Sequence, residues 1–118
     1  MLKILSALLM VALLSACTSS FTSVYDKPNG QVLVVDKEDW AGFKTYLSKV
    51  GSTYKGAFAM GVSNGHTVGY GYSDCPHDSC MTGKAFANEA MDLCHRNHSD
   101  CIMFAANRDI LVNYKVDE

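Results

Sequence analysis

The sequence predicts a small α+β domain: an antiparallel sheet with two helices packed on one of its faces, stapled by disulfides. Three observations predict it. The apolar residues change period along the chain in the order strand, helix, hairpin, helix, hairpin, and elements segregated in this way build an antiparallel sheet with helices beside it. Cys75, Cys80, Cys94 and Cys101 sit in the second half of the chain and suit a pair of disulfides in an oxidising compartment. The first sixteen residues differ in composition from everything after them, and the rest is long enough for one modest core. The expected organisation is a leader over residues 1–16, an anchor and flexible tether over 17–30, and a single domain over 31–118.

The leader has a positive start at Lys3 and an apolar run from Ile4 to Leu14 broken only by Ser6. Small residues Ser15 and Ala16 then precede Cys17. A bilayer span needs roughly 20 apolar residues, so this run is too short to cross one. It reads as a secretory signal peptide. The string Leu14-Ser15-Ala16-Cys17 resembles the lipobox of bacterial lipoproteins. That resemblance implies cleavage before Cys17, a diacylglyceryl group on its sulfur and an acyl group on its new amine. Several acyl chains on one residue bury enough methylenes to hold a protein in a membrane, where one chain binds only marginally. Thr18, rather than Asp, follows the cysteine, which resembles the outer-membrane sorting pattern of enteric-type bacteria. The implied location is the outer membrane, facing the periplasm.

Without residues 1–16 the formal charge moves from −2 to −3, because the leader holds Lys3 and no acid. With twelve acids and no basic stripe, no nucleic-acid partner is expected. Thr18 to Ser23 is rich in Ser and Thr and reads as tether. Lys27-Pro28-Asn29-Gly30 is a turn signal. Gln31 to Val35 is a short β-branched strand. Asp36 can cap the helix that follows, with Glu38 and Asp39 at the positive end of its dipole. Trp40, Phe43, Leu47 and Val50 recur at helical spacing and form a core-facing stripe, and Gly51 is a stop signal. Ala57 to Val62 and Thr67 to Tyr72 alternate bulky with small residues about the turn signal Asn64-Gly65. Phe58, Met60, Val62, Val68, Tyr70 and Tyr72 are expected on one face, with a smooth face of Ala and Gly opposite. A helix is the expected visitor on that smooth face, and a ligand groove is the alternative. Thr82 can cap a second helix from Gly83 to about His95. Cys101 to Ala106 and Ile110 to Tyr114 make the last two strands.

The "AFA" strand at Ala57-Phe58-Ala59 is followed by the Gly/aromatic strand Gly69 to Tyr72. An Ala-rich helix ending in Cys94 and a strand opening at Cys101 come next. This succession resembles the small cysteine-containing domains of unknown function found in secreted and periplasmic bacterial proteins, over about residues 55–113. The loop Cys75 to Cys80 is longer than that pattern has. The resemblance implies a fold and a compartment, and no activity.

The chemistry-bearing side chains are Cys75, His77, Cys80, Cys94, His95, His98 and Cys101, a set that zinc or copper(I) can use. The shortest loops favour disulfides Cys75–Cys80 and Cys94–Cys101, and oxidised sulfur is no longer an anionic ligand. His77, His95 and His98 are then the remaining metal candidates, and no cofactor is expected. No catalytic residues are expected either, since no Gly-x-Ser-x-Gly, His-Glu-x-x-His or phosphate loop occurs. The expected role is a membrane-anchored binding module for an envelope or periplasmic protein, of the inhibitor or immunity kind. The alternative is a metal- or small-ligand-binding lipoprotein using the Cys/His cluster.

Overall fold

The computed structural model describes residues 21–50, 55–75 and 83–117. In chain order the elements are β1 Leu33–Asp36, α1 Lys37–Val50, β2 Lys55–Ser63, β3 His66–Cys75, α2 Gly83–His95, β4 Cys101–Ala106, β5 Asp109–Ile110 and β6 Tyr114–Asp117. Asp36 caps α1 as expected, accepting the Glu38 N–H at 3.2 Å. Asn64 and Gly65 both take positive φ, +53° and +79°, as a two-residue hairpin turn between β2 and β3 requires. Gly51 and Thr82 lie outside the described residues.

The six strands form one sheet in the order β5-β4-β2-β3-β1-β6. The sheet is mixed, which corrects the expected antiparallel sheet. β2 pairs antiparallel with β3 and β4, and β4 with β5, but β1 lies parallel to both β3 and β6. The difference arises where a single last strand was expected over 110–114. That run stops after Ile110, and residues 111–113 carry the chain to the opposite edge, where β6 enters beside β1 from the same end. Six strands laid flat would put β5 and β6 about 24 Å apart at about 4.8 Å per gap. The chain from Ile110 to Tyr114 reaches at most about 14 Å. The sheet therefore has to curl, and residues 111–113 tie its edges: Leu111 N–H donates to Phe104 O at 2.8 Å, and Leu33 N–H to Asn113 O at 2.9 Å.

The two helices cover opposite faces of this curl, not one face. Phe58, Met60 and Phe104 point inward and meet Phe43, Tyr46 and Val50 of α1, with Leu33, Val35 and Val112 in the same core. The ring of Phe43 meets those of Phe58 and Phe104 edge-on, at centroid distances of 5.2 and 5.1 Å. Ala57, Ala59 and Met103 point outward and meet Phe86, Ala90 and Cys94 of α2. The reason is in the alternation of β2. A central strand that is buried along both faces needs a cover on each, and a single pair of helices on the aromatic face would leave the Ala/Gly face wet. The smooth face has the helix expected of it.

One residue breaks the expected alternation of β3. The register passes from Gly61↔Gly69 to Val62↔Thr67, so Val68 is an extra residue bulged out of the pairing. Thr67 takes the inward, buried position and Val68 stands half exposed.

The domain also starts earlier than residue 31. Ser23 N–H and Oγ–H donate to the Asp26 carboxylate, both at 2.9 Å. Tyr25 is only 8% exposed. Lys27 N–H reaches Leu111 O at 3.0 Å, Asn113 N–H reaches Tyr25 O at 2.9 Å, and Gln31 N–H reaches Val24 O at 2.8 Å. Residues 23–30, expected as tether, are thus folded against residues 111–113. A Cβ at Gly30 would lie 2.5 Å from Asp26 O, so this tight turn closes only over glycine.

Candidate functional site

The cysteines that α2 and β4 bring together are joined: Cys94 and Cys101 form a disulfide with Cα atoms 6.2 Å apart. Cys75, at the end of β3, is also disulfide-bonded. Cys80 and His77 lie outside the described residues, as does Cys17. His95 turns Nδ1 toward the backbone oxygen of His98 at 3.3 Å. His98 itself lies over the bare end of the smooth face. A Cβ at Gly61 would stand 2.7 Å from its Cγ, and one at Gly69 would collide with its Nε2. The alternative of a ligand groove over these glycines is therefore closed, by α2 at Gly71 and by the His98 ring at Gly61 and Gly69. Among the described residues no group of three or more His, Cys, Asp or Glu side chains is gathered to hold a metal ion.

The buried polar groups are engaged inside the fold. Asp39, in the first turn of α1, is 7% exposed and accepts the Thr67 hydroxyl proton at 2.6 Å, while Thr67 Oγ1 accepts the Asp36 N–H at 2.9 Å. Burial raises the Asp39 carboxyl above the usual carboxylate range, with the Thr67 hydrogen bond opposing. Tyr46 donates to Asn107 O at 2.5 Å, and burial holds its phenol well above the ordinary tyrosine range. Among the described residues every buried side-chain nitrogen and oxygen has a hydrogen-bond partner.

What the fold leaves open lies where the N-terminal segment meets the closing strand. Lys27, Pro28, Gly30, Val32, Val112, Asn113 and Tyr114 line an open groove of about 500 Å³. Asn113 fixes its wall by donating from Nδ2 to Gly30 O at 3.0 Å. Val32 is 55% exposed on its rim. Val24 (62% exposed), Phe21 and Leu111 carry further exposed apolar surface on the same segment and on the strand it pairs with. With Asn113 Nδ2 given to Gly30 O and Pro28 O, the rim offers Val32 to an apolar side chain and Lys27 to a backbone carbonyl or an acidic group. The sequence reading missed this site. Val32 sits in the β-branched run 31–35 and passes for core, and Val24 sits among residues read as tether. The available signal was Val24-Tyr25, an apolar pair inside an otherwise polar stretch. No helix among the described residues is long and apolar enough to cross a membrane.

Comparison of the chain with protein-family models, with curated proteins and with solved structures gives no match in any of the three.

Proposed function

We propose that this chain is an envelope lipoprotein that acts as a small binding module. In this reading Cys17 takes a diacylglyceryl group on its sulfur, residues 1–16 are removed, and its new amine is acylated. The domain then faces the periplasm from the outer membrane, and its groove takes a segment of an envelope or periplasmic protein. The observation that carries the binding role is the contrast between inside and surface. Among the described residues the buried polar groups are used up in the fold's own hydrogen bonds, while Val32 stands exposed on the rim of an open groove and Val24 and Leu111 stand exposed on the segments that meet there. Apolar surface rimmed by polar groups is the usual mark of an interaction site. The metal-binding alternative loses Cys94 and Cys101, since both are oxidised.

Two measurements test this. Cys17→Ser should abolish acyl labelling and leave an uncleaved precursor or a released domain. Unchanged labelling and membrane partition would refute the anchor. A photo-crosslinking residue at Val32 should give one discrete protein adduct in intact cells, and the same residue at exposed Asn88 on α2 should not. Identical patterns at the two positions would refute the groove.

A further inference from the structure

We infer that the domain is seated directly on the membrane surface, with Phe21, Val24 and Leu111 in contact with lipid. The inference rests on acylation of Cys17 and concerns the end of the domain beside the groove.

Its first support is the length of free chain. A tether of residues 17–30 would let the domain stand well off the headgroups. The structure shortens it. The Ser23–Asp26 turn, buried Tyr25 and the pairing of residues 25–27 with 111–113 begin the folded unit at Ser23. From Cys17 to Ser23 a fully extended chain reaches at most about 21 Å, and a flexible one averages about 12–15 Å. The headgroup layer outside the hydrocarbon is itself about 5–7 Å thick on each side. The start of the folded unit at Ser23 is therefore held close above that layer, with Phe21 on the chain between it and the lipid.

The second support is what that segment presents. Phe21 and Val24 are exposed there, and so is Leu111, whose carbonyl accepts the Lys27 N–H on the strand opposite. Lys27 is exposed and suits the phosphates of lipid headgroups. Asp26, the one acid between Phe21 and Val32, turns its carboxylate back onto Ser23. The end of the domain that the tether forces against the bilayer thus shows it apolar side chains and a cation. The partner groove, lined by Val32 and Tyr114, then opens at the membrane surface, where an envelope protein would be met.

The test uses the wild-type protein extracted from the membranes of bacteria that express it and placed in vesicles of phosphatidylethanolamine and phosphatidylglycerol. A membrane-soluble carbene reagent is photolysed in the bilayer, and the labelled peptides are identified by mass. The mass of the peptide that starts at Cys17 is read from the same digest. The expected result, in a digest that cuts after Phe21 so that the acyl chains leave with Cys17, is an acylated Cys17 with label on the peptides carrying Val24 and Leu111, and none on the peptide carrying Asn88. An acylated Cys17 with those peptides unlabelled overturns the seating and leaves the anchor standing. A Cys17 without acyl groups overturns the anchor and the seating together. A second measurement separates lipid from protein. A crosslinker at Val24 should yield lipid adducts, and a discrete protein adduct there would assign this surface to a protein and overturn the inference.

Discussion

Gly71 is where the main chain of α2 comes against β3, and Gly71→Ala tests the packing of α2 on the smooth face. Gly71 pairs with Ala59 on β2 and faces outward. A Cβ there would lie 2.6 Å from Cys94 N, and 3.0 Å from both Ala90 O and Leu93 C. All three are main-chain atoms, so no side chain can rotate away. Clearance requires α2 to lift, yet the Cys94–Cys101 disulfide ties its end to β4 and Phe86 and Ala90 are seated in the core. Overpacking of this kind costs about 1–3 kcal/mol, and the reduced freedom of an unfolded alanine returns about 0.5–1 kcal/mol. The net loss is about 1–2 kcal/mol, which for a domain of this size lowers Tm by roughly 4–16 °C. Thermal unfolding followed by circular dichroism reads it directly. Gly65→Asn is the control: its surroundings are open, and Asn tolerates the left-handed backbone there. The loss at Gly71 should shrink in a Cys94→Ala, Cys101→Ala background, where the end of α2 can move, and a double-mutant cycle measures that coupling. A Gly71→Ala protein that melts with the wild type would refute the close approach of α2.

Three further outcomes follow from the geometry. Breaking Cys94–Cys101 releases a loop with a sequence separation of 7, and on loop-entropy grounds should cost about 2.5 kcal/mol; the urea midpoints of oxidised and reduced protein check it, and coincident midpoints would contradict it. Tyr46→Phe removes the hydroxyl that satisfies Asn107 O and should cost about 1–2 kcal/mol, read as a lower urea midpoint with unchanged slope. Asp39 should show a pH signature. Burial, the larger effect, raises its folded pKa, so its contribution to stability is full below the unfolded value of about 3.9 and is lost as pH rises through the higher folded value. Asp39→Asn keeps an oxygen for the Thr67 hydroxyl, so it should gain stability relative to wild type as pH rises through that window. A difference that stays constant with pH would show that Asp39 is not desolvated.

Much of the local structure was legible because it is set by neighbours in sequence. The Asp36 cap, the Asn64-Gly65 turn, the stripe Trp40, Phe43, Leu47 and Val50, and the α2 span all follow from residues within a turn or two of each other. The helix on the smooth face was legible too, since Ala57, Ala59, Gly61, Gly69 and Gly71 leave space that a close-packed interior must fill. Two features of the strands were not. The alternation of β3 carries no mark of the extra residue at Val68, so Thr67 was read on the wrong face. The run Ile110 to Tyr114 has the composition of one strand, and nothing local says that it breaks at Leu111 to cross the sheet. The first is settled by the register across the hairpin, Val62 with Thr67, and the second by a residue far off in sequence, Leu33 with Asn113 across the closure.

The parts that sequence could not show are mechanically one unit. Residues 111–113 bond to β4 through Leu111, to β1 through Asn113, and to the N-terminal segment at Tyr25 and Lys27. The residues that close the sheet therefore also hold the segment that leads to Cys17. Removing that segment would take Tyr25 out of the inner core, which it shares with Val112, and would leave the Asn113 N–H without its partner at Tyr25 O. The segment thus belongs to the core at one end and, in the reading proposed above, to the membrane at the other. On that reading a load applied at the anchor would reach the sheet through residues 111–113, which run between its two edges. The segment Ser23–Gly30 and the groove between Val32 and Tyr114 are then held by the same stretch of chain, since residues 111–113 bond to both sides of it.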